Sequence, residues 1–205
     1  MFPAAIKSEQ KEIFDKLKNF PEFYLAGGTA LALQIGHRIS VDFDLFSERK
    51  LPVGLLTKAR RAFKDSKVKI QINRSEQLTL EINGIRLSFV QYPYPLIFDS
   101  VAYNGVKLLS AAEIAAAKAY VVGRRATFKD YVDLYFILKE KFVSLSEIIN
   151  ICEKKYRDEF NDRLFLEQLV YLRDMEEAPI RFLRKPVSRG EIEKFFQEEI
   201  KKIKI

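Results

Sequence analysis

The run Val41-Asp42-Phe43-Asp44-Leu45-Phe46 alternates apolar and acidic residues. Such alternation is a strand signal, and residues i and i+2 of a strand point to the same face. Asp42 and Asp44 therefore present two carboxylates on one side, with Cα atoms about 6–7 Å apart. Val41, Phe43 and Leu45 point the other way, into a core. Aspartate is disfavoured in strands, and two carboxylates this close repel, so one takes up a proton unless a cation compensates. A hard divalent ion such as magnesium compensates, prefers oxygen ligands and leaves room for substrate phosphates. Upstream, Gly27-Gly28-Thr29 follows the apolar run Phe23-Tyr24-Leu25-Ala26. Glycines let a backbone turn sharply and approach a ligand. The helix that follows offers N–H groups to phosphate oxygens, and Thr29 adds a hydroxyl. A Gly-Gly turn alone is only a turn, and an Asp-x-Asp strand alone is compatible with acids facing solvent. Together they set a phosphate cradle beside a metal site.

The elements that must position these residues follow from pattern. Residues 5–19 read as an amphipathic helix with Ile6, Ile13, Phe14 and Leu17 on one side, ended by Pro21. Phe23 to Ala26 reads as a strand. Thr29 caps a short helix through about Ile35, closed by Gly36. Residues 53–65 read as a basic helix. Residues 67–73 and 77–82 are strands, Asn83-Gly84 is a hairpin turn, and residues 85–91 return until Pro93 and Pro95 stop them. After about Leu108 everything reads as helical, with capping patterns at Ser110–Glu113, Ser144–Glu147 and Ser188–Glu191 and a helix start at Thr127. Residues 178–187, with Pro179 and Pro186, read as a linker. Strands in the first half and helices in the second make an α+β protein, with an α/β core at 1–107 and a helical region at 108–205.

The 205 residues suffice for one large domain or two small ones, and 48% hydrophobic with 31% charged residues is an ordinary globular composition. No apolar run approaches the roughly 20 residues of a membrane span, and Lys7, Glu9, Lys11 and Glu12 interrupt any signal-peptide pattern. Cys152 is the only cysteine, which excludes an internal disulfide and points to a reducing, cytoplasmic setting. The net charge is +7, and between Arg49 and Arg74 nine basic residues face one acid, Asp65. That excess suits either a polyphosphate partner or a solvated helix face. His37 is the only histidine, which argues against a histidine-based zinc site or a Ser-His-Asp triad; it shapes the loop before Ser40. Arg38 suits a phosphate or an aspartate equally. Tyr92-Pro93-Tyr94-Pro95 reads as loop packing, with base stacking the alternative. Lys118, in an alanine-rich helix, suits a phosphate counter-charge or a lysine snorkelling over small residues. Asp130, in a first helical turn, complements the macrodipole.

The run Leu25-Ala26-Gly27-Gly28-Thr29-Ala30-Leu31-Ala32-Leu33, followed by Gly36-His37-Arg38-Ile39-Ser40-Val41-Asp42-Phe43-Asp44-Leu45-Phe46, resembles the first motif of the AbiEii/AbiGii toxin family, within the polymerase-β-like nucleotidyltransferases. The likeness continues at Lys118, Arg124-Arg125 and Lys129-Asp130-Tyr131-Val132-Asp133-Leu134, which are similar to a later helical motif. The resemblance implies a nucleotidyltransferase-like mixed sheet with flanking helices, completed by the helical half. It implies that Gly27, Gly28 and Thr29 hold nucleotide phosphates with support from Ser40. Asp42 and Asp44 would coordinate magnesium, and Lys118 would contact phosphate. Asp130 would join the site as ligand or as orienter of Lys118. The implied reaction transfers a nucleoside monophosphate from a nucleoside triphosphate to an RNA end, the 3′ end of tRNA being the expected acceptor. Arg60, Arg61, Lys64, Arg124 and Arg125 would grip the RNA. Such toxins pair with a separately encoded antitoxin.

One departure matters. Polymerase-β-like enzymes place a third carboxylate on a later strand, and here that strand reads Ile85-Arg86-Leu87-Ser88-Phe89-Val90, with Ser88 in the acid's place. Glu81, on the preceding strand, is not expected to substitute. Either Asp130 completes the site, or substrate supplies the oxygen, or turnover is weak. The last leaves a nucleotide- or RNA-binding protein of the same fold as the alternative; a third reading is transfer to a protein or small molecule.

Overall fold

Seven strands join in one sheet in the computed structural model of the protein, which describes residues 1–172, 175 and 179–203. They are β1 (Tyr24–Ala26), β2 (Phe43–Ser47), β3 (Val68–Asn73), β4 (Gln77–Ile82), β5 (Ile85–Gln91), β6 (Val101–Tyr103) and β7 (Val106–Leu108). Their spatial order is β3-β4-β5-β2-β1-β7-β6. β2 runs antiparallel to β1 and parallel to β5, so the sheet is mixed. The eight helices described are α1 (Ser8–Lys16), α2 (Gly27–Ile35), α3 (Leu55–Ala62), α4 (Ala111–Val121), α5 (Phe128–Lys139), α6 (Leu145–Tyr156), α7 (Asp162–Leu169) and α8 (Arg189–Lys201). This is the expected α+β arrangement. The chain divides into two compact units, Met1–Pro95 with Asp99–Ser110, and Leu96–Phe98 with Ala111–Ile205.

In the first unit one face of the sheet is apolar. Phe43, Leu45, Leu87, Phe89, Leu78, Leu80 and Ile82 are all buried. Aromatic rings lock onto it: Phe14 lies 6.3 Å from Phe43, Phe20 lies 4.9 Å from Phe89, and Phe23 meets Phe89 edge-on at 5.1 Å. Phe63, just past α3, stacks on Phe20 at 6.4 Å, and Leu55 and Ala59 of α3 are buried with it. Helix α3 thus covers the apolar face.

Several details differ from the sequence reading. The segment 5–19 is a 3₁₀ turn (Pro3–Ala5), then α1, then a second 3₁₀ turn (Leu17–Asn19). β2 begins at Phe43 rather than Val41, and Val41 is exposed rather than in the core. The hairpin β6–β7 was not anticipated. Its turn is Asn104-Gly105, with φ of +49° and +77°, the same chemistry as Asn83-Gly84 at +50° and +84°. The linker at 178–187 begins on Ala178, which lies outside the described residues; 179–187 contains no helix.

In the second unit, three helices start on the caps expected of them. Thr127 with Asp130, Ser144 with Glu147 and Ser188 with Glu191 form capping boxes for α5, α6 and α8. Ala115, Ala116 and Ala119 let α4 pack closely on α6, where Cys152 Sγ donates to the Ala116 carbonyl at 3.5 Å. Burial pushes that thiol far above its usual range. Glu113 and Lys155, both fully buried, pair with each other. Glu113 Oε1 also accepts from the backbone N–H of Phe98 at 3.0 Å and from that of Ile97. Among the described residues no helix is long and apolar enough to cross a membrane.

Breaking a buried ion pair strands a charge. Lys155→Met is therefore expected to cost about 3–5 kcal/mol in urea unfolding. The double variant Lys155→Met/Glu113→Gln, which removes both charges, should recover much of that loss.

Candidate active site

The register of β2 fixes the centre of the site. Asp44 lies between Ala26 of β1 and Ser88 of β5. Asp42 and Asp44 are both half-buried, and both point away from the apolar face that Phe43 and Leu45 enter. The i, i+2 reading of the carboxylates therefore holds, although Asp42 precedes the strand proper.

The glycine turn meets this pair directly. Gly27 has φ +65°, and a Cβ placed on it would lie 3.1 Å from Asp44 Oδ2. A Cβ on Gly28 would collide with the Arg38 guanidinium and sit 3.4 Å from Ser40 Oγ. Gly27 is thus required for turning as well as for close approach, whereas at Gly28 only the space taken by the Arg38 side chain and Ser40 favours glycine. Helix α2 begins at Gly27 with Ala26 as its N-cap, which offers no side-chain acceptor. Its first-turn N–H groups and positive dipole end are directed beside Asp44. Thr29 is consequently the third helical residue, not the cap expected of it. The chain enters the helix two residues earlier because Gly27 turns it.

Thr29, buried at 2% exposure, ties the loop instead. Its hydroxyl lies 2.8 Å from Ser40 Oγ and also contacts the Asp42 carbonyl oxygen. A hydroxyl has one proton to give, and the carbonyl can only accept, so Ser40 supplies the proton of the other contact. Ser40 is fixed on both sides of its backbone: its N–H donates to Ala5 O at 2.9 Å, and its carbonyl accepts from Gln10 Nε2 at 3.0 Å. His37 is fully buried and Arg38 is 5% exposed, its Nη1 donating to Ile39 O at 3.3 Å.

The two charged neighbours of this face on β5 and β4 were not foreseen as a set. Arg86 Nη2 lies 2.7 Å from Asp42 Oδ2. Glu81 is engaged by Lys69 at 3.3 Å and by Gln71 Nε2 at 3.0 Å. Ser88 is buried, with Oγ accepting from Thr79 Oγ1 at 3.3 Å. Among the described residues no group of three or more His, Cys, Asp or Glu is arranged to hold a metal. The donor set at the turn is two carboxylates. That fits magnesium, which is held by one or two carboxylates plus substrate phosphates rather than by an all-protein cage.

In the helical unit, Lys118 is 8% exposed at its side chain and reaches Asp130 Oδ1 at 2.8 Å and Asp133 Oδ2 at 2.6 Å. Asp130 Oδ2 accepts from Thr127 N–H at 2.8 Å and from Thr127 Oγ1 at 3.0 Å. Burial pushes the Asp130 carboxyl up, but the Lys118 charge and the hydrogen bonds from Lys118 and Thr127 outweigh it, and the net shift is downward. Asp130 thus has the geometry of an orienter. Asp133, fully buried, shares that role and was missed as a site residue. Its signal was the i, i+3 spacing from Asp130 on a helix.

The residues expected to grip RNA divide between the two units. Arg60, Arg61 and Lys64 are exposed, but they belong to or follow α3, on the sheet face opposite the carboxylates. Arg124 is tied within the helical unit: Nη1 donates to Tyr120 O at 2.6 Å, Nη2 donates to Glu159 O, and the guanidinium lies 4.3 Å from the Tyr120 ring centre. Arg125 is exposed.

A family model described as "Nucleotidyl transferase AbiEii toxin, Type IV TA system" matches residues 12–204. The chain belongs to this family. It is a nucleotidyltransferase of the toxin type, as the resemblance implied. An Aquifex aeolicus protein, aq_aa25, is 32% identical over 201 residues, covering 96% of each chain. The fold is shared with the Mycobacterium tuberculosis nucleotidyltransferase toxin MenT4 (17% identity, TM-score 0.60, covering 94% of this chain and 84% of that one). It is also shared with the JHP933 protein of Helicobacter pylori (15% identity, TM-score 0.55, covering 96% and 97%).

Two outcomes are expected of this AbiEii-family site. Gly27→Ala combines a positive φ with a methyl group against Asp44. It should lower thermal stability and weaken nucleotide binding together, read by melting curves with and without triphosphate. Asp130 has a folded-state pKa below its ordinary value of 3.8. Its contribution to stability is therefore full above that value and is lost as pH falls through the lower folded one. The stability gap between wild type and Asp130→Asn should be constant at neutral pH and close in strong acid.

Proposed function

We propose that this toxin is a magnesium-dependent nucleotidyltransferase that moves a nucleoside monophosphate from a nucleoside triphosphate to an RNA acceptor, the 3′ end of tRNA. The carrying observation is the close approach of the Gly27 backbone to Asp44 Oδ2, which puts uncapped helix N–H groups beside a carboxylate pair. The first turn of α2 binds phosphate oxygens and orients the triphosphate. Asp42 and Asp44 would hold magnesium, which would lower the pKa of the attacking hydroxyl and stabilise phosphoryl charge. The acceptor hydroxyl releases its proton to solvent water as its oxygen bonds to the α-phosphorus, the bond from that phosphorus to the bridging oxygen breaks, and pyrophosphate leaves. Thr29 and Ser40 keep the loop carrying Asp42 in register with α2. Lys118, oriented by Asp130 and Asp133, supplies a cation to nucleotide phosphate. The reading sets the enzyme in the cytoplasm with its RNA substrate, restrained by a separately encoded antitoxin.

A second reading has its own observation. Ser88 stands where a third carboxylate would assist deprotonation, and its hydroxyl already accepts from Thr79. A protein that binds triphosphate with magnesium and turns over very slowly would follow.

Purified protein, magnesium, labelled triphosphates and total tRNA distinguish these. Wild type should label RNA, and Asp44→Ala should lose about a hundredfold or more, the scale of removing one preorganised electrostatic group. Equal labelling by Asp44→Ala would sink the proposal. Tight triphosphate binding with no labelling would favour the second reading.

A further inference from the structure

Arg86 faces Asp42 across the parallel β2–β5 pairing. The register that sets Phe43 beside Leu87 and Asp44 beside Ser88 brings Arg86 level with Asp42 one residue earlier. Its guanidinium is 2.7 Å from Asp42 Oδ2, while 51% of its side chain remains exposed. On its other side Arg86 is in register with Glu81, and Glu81 is taken by Lys69 and Gln71. Asp42 is thus the carboxylate that Arg86 engages, and it is one of the two carboxylates assigned above to the cation.

Two consequences follow from charge. Two aspartates on one face repel, and the Arg86 guanidinium on one of them offsets part of that repulsion. A divalent cation arriving at Asp42 competes for the same carboxylate. A guanidinium displaced from Asp42 is a mobile, half-exposed fork whose geometry matches a phosphate. The substrate delivers a phosphate to this position together with the cation.

We propose that Arg86 is the counter-ion of Asp42 in the nucleotide-free protein and becomes a phosphate-binding residue once the cation and substrate arrive. This rests on the function proposed above. The phosphate belongs to the triphosphate or to the RNA backbone, and the two are separated by titrating each alone.

The test uses Mn²⁺ binding followed by electron paramagnetic resonance, with wild type and Arg86→Met. Mn²⁺ alone should bind Arg86→Met about two- to fivefold tighter, the scale of an exposed ion pair. At saturating Mn²⁺, a triphosphate with a non-cleavable α–β bridge, or tRNA, should bind Arg86→Met about tenfold more weakly, the scale of a charge-assisted hydrogen bond. Loss confined to the triphosphate assigns Arg86 to the nucleotide; loss confined to tRNA assigns it to the acceptor. The ¹⁵Nε–Hε resonance of Arg86, assigned by its disappearance in Arg86→Met, should shift when Mg²⁺ is added to wild type. Unchanged Mn²⁺ affinity, a static Arg86 resonance, or unchanged affinity for both phosphate ligands would overturn the proposal. Wild type that binds no Mn²⁺, with or without triphosphate, would instead overturn the functional reading beneath it.

Discussion

The site depends on the register of one strand. A slip of a single residue in β2 would carry Asp42 and Asp44 into the apolar face and turn Phe43 and Leu45 outward. What prevents it is on the other side of the sheet. Phe43, Leu45, Leu87 and Phe89 are buried under Phe14, Phe20, Phe23 and Phe63. The carboxylates are placed by residues that never approach them. The parallel pairing of β2 with β5 also needs a crossover, and α3, β3 and β4 provide it. Helix α3 therefore contributes Leu55 and Ala59 to the core, and its arginines are carried on the far side from the carboxylate pair.

A second layer of positioning comes from the N-terminus. The chain leaves α2 through Gly36 at φ +64°, against the ring of Phe2, where a Cβ would collide. Phe2 N–H donates to Leu33 O at 2.7 Å, Ser40 N–H donates to Ala5 O at 2.9 Å, and Gln10 reaches the Ser40 carbonyl. The loop that delivers Asp42 is thus held from outside by the first ten residues and from inside by the Thr29 hydroxyl. Buried polar groups have no water to turn to, so each of these bonds limits where the loop can go.

The carboxylate pair, the glycine turn and the helix caps were legible in the sequence because each is local. Spacing along a strand reports a face, and Ser or Thr three residues before an acid reports a helix start. What stayed hidden was non-local. The alternation at 41–46 could not show that Val41 lies outside the paired strand. The composition at 49–74 reported charge but not the side of the sheet, and Lys58 in fact pairs with Glu22 at 2.8 Å. Thr29 looked like a cap because its true partners, Ser40 and the Asp42 carbonyl, are supplied by a distant loop. Asn104-Gly105 was a local signal of the same kind as Asn83-Gly84 and was readable by the same rule. Asp133 was visible within its motif, but its importance rests on Lys118 lying opposite, which only packing decides.

The substitution pattern on β5 changes the electrostatics of the whole face. Ser88 beside Asp44 is neutral, and Arg86 beside Asp42 is positive. These two together with the two aspartates sum to one formal negative charge, where a third carboxylate would have made a strongly anionic cluster. Such a cluster is unstable without bound cations because its members repel. A face of charge −1 has no such need, and it can retain its geometry before substrate arrives. The same arithmetic limits what the protein can draw in: a single divalent cation already reverses the sign of the face. Under the function proposed above, the remaining anionic ligands would come with the nucleotide, whose phosphates would meet a positive helix end and a cation together. Under that proposal cation and nucleotide binding would be coupled, because each makes the charge that the other needs.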